Sequence, residues 1–94
     1  MNDQYQLILS PTAAQQLQEI PLSLLEEVER QLQRLAESPA ALSVRSAVPY
    51  RLDRQLYHFS VTDFAGERWF FIVHFRYGQD EQTLHVSTIS VREP

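Results

Sequence analysis

Two alternating segments in the second half of the chain constrain the fold more than any other feature of the sequence. Apolar residues occupy every second position of residues 57–61, and they do so again over residues 69–75. A period of two is typical of β-strands that bury one face, and the short distance between the segments predicts an antiparallel hairpin. The odd-numbered positions form the predicted core face: Tyr57, Phe59, Val61, Trp69, Phe71, Val73 and Phe75.

The length of the turn between these segments decides which residues face each other. A two-residue loop would move polar residues of the first segment onto the apolar face of the second. A three-residue loop over residues 64–66 pairs Val61 with Trp69 and keeps the large apolar residues together. Such a loop needs a residue in the left-handed conformation, which Gly66 supplies, so we predict the three-residue loop. The even-numbered positions then form an open face: His58, Ser60, Thr62, Arg68, Phe70, Ile72, His74 and Arg76.

The first half of the chain predicts one strand and two helices. Residues 5–9 are apolar and aromatic, which favours a strand. Ser10 followed by Pro11 is typical of a helix start, and this first helix extends to Glu19, before Pro21 breaks it. A second, strongly amphipathic helix follows, and the short connection between the two predicts an antiparallel helix hairpin.

The second helix is predicted to begin after Ser23, because Glu26 lies three positions later, as in a capping box. It ends at Pro39, and residues 39–49 have no clear period, so we expect a surface loop there. Residues 84–91 form a last strand that is rich in β-branched side chains. The predicted order is β–α–α–β–β–β, an α+β fold in which a helix hairpin packs on one face of a curved antiparallel sheet.

Composition limits the functions that are open to this fold. The 94 residues suit one domain, residues 1–94, and the absence of cysteine excludes disulfide scaffolds, thiolate zinc sites and cysteine nucleophiles. The longest apolar run, residues 69–73, is too short to span a bilayer, and residues 1–4 lack the features of a secretion signal. We therefore expect a cytoplasmic protein. A net charge of −4 argues against a general nucleic-acid-binding protein.

All eight basic residues are arginines, since the chain contains no lysine. Two explanations remain open: the codon bias of a GC-rich genome, and a phosphate or carboxylate site built from planar guanidinium groups. Acidic residues concentrate on the second helix, at Glu26, Glu27, Glu29 and Glu37. If that helix face is acidic, the open face on the other side of the sheet could still bind a phosphate-rich target through Arg68, Arg76 and Arg92.

Four short motifs of this sequence have the same order and spacing as motifs of a known protein family. They are Glu37-Ser38-Pro39 at the end of the second helix, Tyr57 near the start of the next strand, Gly66-Glu67-Arg68 after the turn, and Ile89-Ser90-Val91-Arg92-Glu93 at the end of the last strand. The chain resembles the RelE/ParE superfamily, the toxins of bacterial type II toxin–antitoxin pairs. This resemblance covers nearly the whole chain and implies a RelE-like fold, a cognate antitoxin as partner and growth inhibition.

RelE-type members are endoribonucleases, or mRNA interferases, that activate a ribose 2′-OH against the neighbouring phosphate on the ribosome. The resemblance carries the family's third-strand arginine onto Arg68 and its C-terminal arginine onto Arg92, as catalytic candidates. Two basic positions of the family's second strand fall on His58, a third catalytic candidate, and on Ser60, which cannot replace a cation. The family's late Tyr or His has no counterpart before Pro94. With this incomplete set, a non-catalytic RelE-like binding or regulatory module and a ParE-like gyrase inhibitor remain open alternatives.

The remaining polar residues have both a functional and a structural interpretation. Arg68 is either catalytic or paired with Asp63 or Glu67 beside the turn, and Arg76 is able to pair with Glu81 across the second turn. The histidines lack the spacing of metal ligands, so we expect no metal and no cofactor. The expected partners are an antitoxin and the ribosome with its mRNA, and no membrane. Candidate RNA-binding residues, each of which could equally be solvated or structural, are Arg51, Arg54, Arg76 and His74.

Overall fold

A computed structural model describes residues 4–45, 54–80 and 82–94 of the chain. The first part contains strand β1 (Gln6–Leu9), helices α1 (Pro11–Gln18) and α2 (Leu22–Glu37), and the short helix α3 (Pro39–Leu42). The second part contains the strands β2 (Val44–Arg45), β3 (Gln55–Thr62), β4 (Arg68–Tyr77) and β5 (Thr83–Arg92). These strands form one sheet in the order β1-β5-β4-β3-β2.

The predicted register of the β3–β4 hairpin is confirmed. Val61 faces Trp69, and the pairing continues without a shift to Gln55 and Phe75. The Asp63 amide donates a hydrogen bond to the Glu67 carbonyl at 2.9 Å, which closes the three-residue loop. Gly66 has a φ of 80°, the left-handed conformation that the loop requires. One turn residue therefore sets which side chains of two strands share a face.

The sheet is mixed rather than antiparallel throughout, so this expectation is wrong for β1. Strand β1 pairs with β5 in parallel, from Gln6 opposite Thr83 to Leu9 opposite Val86. The antiparallel meander β3–β4–β5 is as predicted, because short turns connect those strands. No turn joins β1 to β5, and the intervening chain is long enough for the crossover that a parallel pair needs.

Residues 39–45 are more ordered than the predicted loop. Pro39 occupies the first turn of α3, and the Ser43 hydroxyl donates to the Pro39 carbonyl at 2.7 Å. Val44 and Arg45 then pair with Leu56 and Gln55 of β3. Such short elements have too few residues to show a period, so pattern analysis reads them as loop. The rest of the predicted loop, residues 46–49, lies outside the described residues.

The two main helices begin in different ways. Ser10 caps α1 as predicted, because its hydroxyl oxygen accepts a hydrogen bond from the Ala13 amide at 3.0 Å. The capping box at Ser23 is wrong, since α2 already begins at Leu22. The Pro21 carbonyl accepts hydrogen bonds from the amides of the two residues after Ser23, so the first turn forms without a side-chain cap.

The core lies between the helices and one face of the sheet. Helix α1 packs against β5, and α2 packs against β3. The predicted core face is confirmed: its odd-numbered side chains are buried or pack against the buried cluster. Tyr57 is buried at the edge of this core, where its hydroxyl donates to the Gln31 side chain at 2.6 Å and burial raises its pKa. The buried cluster contains Ala13, Ile20, Leu24, Val28, Leu32, Leu35, Tyr57, Val61, Phe71, Val73, Phe75, Leu84, Val86 and Ile89.

Candidate functional site

A shallow depression of about 510 Å³ lies on the sheet face opposite the helices. Three strands contribute to it, since β3, β4 and β5 each present alternate side chains to that face. His58 and Arg92, two of the three catalytic candidates, line the depression. The outward-facing residues of its lining are His58, Ser60, Phe70, Ile72, Ser90 and Arg92.

The strand register fixes where these side chains stand. Ser60, Phe70 and Arg92 form one row across the sheet, with Phe70 in the middle. His58, Ile72 and Ser90 form the neighbouring row. From the usual strand spacing and rise, the Cα atoms of His58 and Arg92 are roughly 12 Å apart. An imidazole and a guanidinium at that separation can contact the same small anion from opposite sides.

Arg68 stands beside the depression rather than in its lining. It begins β4 opposite Thr62, is exposed, and lies on the same face as Phe70. Strand geometry places its Cα atom about 8 Å from that of Arg92. The alternative interpretation of Arg68, an ion pair with Asp63 or Glu67, is absent from the part of the chain that the structure describes. Arg68 is therefore available to an external anion next to the depression.

The carboxylate of Asp63 is fully used by the turn, which explains why it does not pair with Arg68. Its Oδ1 accepts hydrogen bonds from the Ala65 and Glu67 amides, each at 2.9 Å. Its Oδ2 accepts a hydrogen bond from the Trp69 indole N–H at 2.9 Å. The indole hydrogen bond, followed by that of the Glu67 amide, holds the pKa of Asp63 below its usual value. This network anchors the end of β4 that carries Arg68.

The network predicts a pH-dependent contribution of Asp63 to stability. Because the folded-state pKa is lowered, the contribution is complete above the ordinary value of 3.8 and is lost as the pH falls through the lower folded-state value. We expect Asp63→Asn to unfold at a lower temperature than the unsubstituted chain at pH 7. The difference should shrink below pH 3.8, as thermal unfolding followed by circular dichroism will show. A difference that stays constant down to pH 2 would contradict this assignment.

The candidate RNA-binding residues do not form one cluster. Arg76 lies at the far end of β4, about 20 Å from Phe70 by strand rise, in a different depression that also contains Asp80. His74 lies between the two ends, with its Nε2 atom 3.4 Å from the Ser90 hydroxyl. Arg54 is half-buried immediately before β3, and Arg51 lies outside the described residues. Glu81, the predicted partner of Arg76, also lies outside them.

The depression and the acidic side chains of α2 lie on opposite sides of the sheet. In the described part of the chain, no carboxylate lines the depression that contains Arg92. The acids of α2 lie on the helix layer, where Glu26 and Glu27 pair with Arg30 at 3.5 and 3.2 Å. The lining of the depression therefore carries a cation, Arg92, in a chain whose net charge is −4. This arrangement suits an anionic ligand.

Comparison with solved structures identifies the fold. The chain is similar to a chain in the crystal structure of the toxin–antitoxin complex RelBE2 from Mycobacterium tuberculosis, with a TM-score of 0.72 and 16% sequence identity. The match covers 95% of this chain and 99% of the other. The chain has a RelE-like fold. No protein-family model and no curated protein matches the sequence.

Within this RelE-like fold, sequence reasoning missed the residue at the centre of the depression. Phe70 was placed on the open face but given no role, and it is 48% exposed between Ser60 and Arg92. The signal was present in the sequence, because Phe70 is a large aromatic residue at an even-numbered position of an otherwise largely polar face. Ser90 was noted only as part of a motif, and it shares the depression.

Metal-binding clusters and membrane-spanning helices are absent from the described residues. Over residues 4–45, 54–80 and 82–94, no group of three or more His, Asp or Glu side chains is arranged to hold a metal ion. Among the described helices, none is both long and apolar enough to cross a membrane. The lining of the depression around Arg92 supplies guanidinium, imidazole, hydroxyl and aromatic groups, and a guanidinium can bind a phosphate.

Proposed function

We propose that this protein is the toxin of a type II toxin–antitoxin pair and that it cleaves translated messenger RNA. One observation carries the proposal: nearly the whole chain matches the fold of a chain from a toxin–antitoxin complex. The match concerns the fold alone, so the assignment of activity rests on the depression around Arg92. That depression combines a cation for phosphate with a group that accepts a proton.

The proposed reaction is an attack of a ribose 2′-oxygen on the adjacent phosphorus. The 2′-O–P bond forms, the P–5′-O bond breaks, and the products are a 2′,3′-cyclic phosphate and a 5′-hydroxyl. His58 accepts the 2′-OH proton, a step that is typically worth 10²–10⁴-fold in rate. Arg92 and Arg68 stabilise the charge that builds up on the phosphate oxygens. The leaving 5′-oxygen takes its proton from solvent.

The proposed antitoxin would bind the outer edge of strand β3. Strand β2 pairs with β3 only at Gln55 and Leu56. In the described residues, the outer edge of β3 from Tyr57 to Thr62 faces no further strand. A peptide that adds to such an edge gains backbone hydrogen bonds, and the alternate side chains give specificity. An antitoxin strand at this edge would lie beside His58 and Ser60.

A second candidate function is a non-catalytic RelE-like binding or regulatory module. Ser60 favours it, because this position faces Phe70 and Arg92 and carries no cation. The net charge of −4 also favours it, since a protein that works on ribosomal RNA gains from neutralising phosphates. Capture of an antitoxin-like partner without any toxicity would support this candidate.

Induced expression in a bacterial host tests the proposal. The unsubstituted protein should stop growth, and co-expression of the cognate antitoxin should restore it. The double variant Arg68→Ala/Arg92→Ala should permit growth, whereas the matched control Arg34→Ala, an exposed arginine on α2, should remain toxic. Normal growth with soluble, folded protein would contradict the proposal. Growth arrest with inhibited DNA supercoiling and intact mRNA would instead indicate a gyrase inhibitor.

A further inference from the structure

We propose that Phe70 is a platform on which one unpaired base of a single-stranded RNA stacks, while Arg68 and Arg92 contact the phosphates beside that base. This inference rests on the proposed function and deepens it, because it names the feature of the RNA that the site recognises. The supporting observations are the exposure of the phenyl ring, its neighbours on the sheet and the local charge.

The exposure of Phe70 is unusual for its position. It lies in β4, which has a paired strand on each side, yet it is 48% exposed. Of the neighbouring residues on the core face, Trp69 is partly buried and Phe71 is 1% exposed. A central strand normally covers its large aromatic residues with neighbouring side chains, and here the ring is left open to solvent.

The neighbours of Phe70 explain why its ring remains open. On one side the facing residue is Ser60, whose side chain is too short to cover a phenyl ring. On the other side it is Arg92, whose guanidinium is attracted to phosphate and to flat aromatic faces alike. Ile72 extends the apolar floor toward the next row. A planar base therefore has a flat apolar surface beneath it and a cation at its edge.

Charge complementarity favours a single-stranded nucleic acid as the occupant, and the proposed function makes that nucleic acid RNA. In the described residues, no carboxylate lines this depression, and Arg68 stands about 8 Å from Arg92 by strand geometry. Successive phosphates of an extended single strand are separated by a similar distance. An aromatic side chain flanked by cations is the usual means of binding unpaired bases, because every base has a face that stacks. A duplex hides those faces, so the site should discriminate against it.

Binding of a labelled RNA octanucleotide to the purified protein, followed by fluorescence anisotropy at low salt, tests this inference. Phe70→Leu keeps an apolar side chain but removes the stacking face, so its affinity should fall roughly tenfold or more. Phe64→Leu is the matched control, because Phe64 is 96% exposed at the hairpin turn and lies away from the depression. Its affinity should equal that of the unsubstituted protein. The same sequence as a duplex should bind more weakly to all three.

A second variant, Phe70→Trp, distinguishes the loss of stacking from a loss of folding and adds a fluorescence signal. Phe70→Trp keeps a stacking surface, so it should retain RNA affinity. The octanucleotide should quench the tryptophan fluorescence of this variant more than that of the unsubstituted protein, whose indole is Trp69. Equal RNA affinity for Phe70→Leu and the unsubstituted protein would overturn the inference. So would an absence of RNA binding by the unsubstituted protein, or a loss in Phe70→Leu that is confined to antitoxin binding.

The outcome is separable from that of the proposed function. Phe70-dependent RNA binding by a protein that neither stops growth nor cleaves mRNA would retain the stacking site and reject the toxin activity. If the protein is toxic and cleaves mRNA, but Phe70→Leu binds RNA as tightly as the unsubstituted protein, the toxin activity would be retained and the stacking site rejected.

Discussion

Replacing Arg92 with alanine should lower the rate of mRNA cleavage by 10²–10³-fold, the usual loss when one donor to a developing anion is removed. Arg92 is the arginine of the depression lining, in the same row as Phe70 and near His58. In the proposed reaction the phosphate oxygens gain charge as the 2′-oxygen attacks, and the Arg92 guanidinium is the group proposed to stabilise that charge. Single-turnover cleavage of a reporter mRNA in a reconstituted translation reaction measures the effect.

Three further variants, one of them at the same position, provide the comparisons for Arg92→Ala. Arg92→Lys keeps the positive charge but not the bidentate geometry, so it should recover only part of the rate. Arg34→Ala removes an exposed arginine from α2 and should leave the rate unchanged. His58→Ala should lower the rate by 10²–10⁴-fold if the imidazole accepts the 2′-OH proton. An Arg92→Ala rate equal to that of Arg34→Ala would contradict the role assigned to Arg92.

Replacing Phe71 with alanine should lower the free energy of unfolding by about 3–5 kcal/mol, the usual cost of removing a buried phenyl ring. Phe71 is 1% exposed and stacks on Phe59 with ring centroids 5.0 Å apart and planes 12° apart. Since small domains are stable by only about 5–15 kcal/mol, the variant should be close to unfolding at 37 °C. Urea denaturation followed by far-ultraviolet circular dichroism gives the value.

The exposed aromatic residue at the turn provides the control. Phe64→Ala removes the same ring from a site that is 96% exposed, so the change in unfolding free energy should stay within about 0.5 kcal/mol. Both variants should have similar urea dependence of the unfolding free energy, because the surface exposed on unfolding changes little. Equal losses in the two variants would contradict the description of the core.

Sequence alone predicted the parts of the fold that depend on local pattern. The hairpin register followed from the alternation around Phe59 and Phe71 and from a single left-handed residue, Gly66. The α1 cap at Ser10 followed from a side chain that acts three residues away. In these cases the interacting groups are close in the chain, so their spacing carries the information.

Sequence alone failed where distant groups decide the outcome. The parallel pairing of β1 depends on the route of the chain through α1 and α2, which no local pattern encodes. The start of α2 depends on the carbonyl of Pro21 rather than on a side chain, so the Ser23 pattern was misleading. Short elements such as β2 exist only through their pairing with β3.

The sequence predicted which face of the sheet carries the candidate site, but not how the residues are arranged on that face. Alternation placed His58, Phe70 and Arg76 on one side of the sheet. The predicted second turn put Arg76 near the end of its strand, but the pattern did not show that this end belongs to a different depression, or that Phe70 occupies the centre of the depression that Arg92 lines. Those facts depend on the alignment of β5 against β4, which includes an irregularity between His74 and Phe75. Register across non-local strands therefore decides which residues work together.

The most direct test of the account is to induce the protein and map the 5′ ends of a reporter mRNA. The reporter is used in two forms, one with its start codon and one without it. The account predicts new ends within the coding region of the translated reporter, and none when the start codon is removed or when Arg92→Ala is induced. Growth arrest with no new ends, or the same ends in the untranslated reporter, would contradict it.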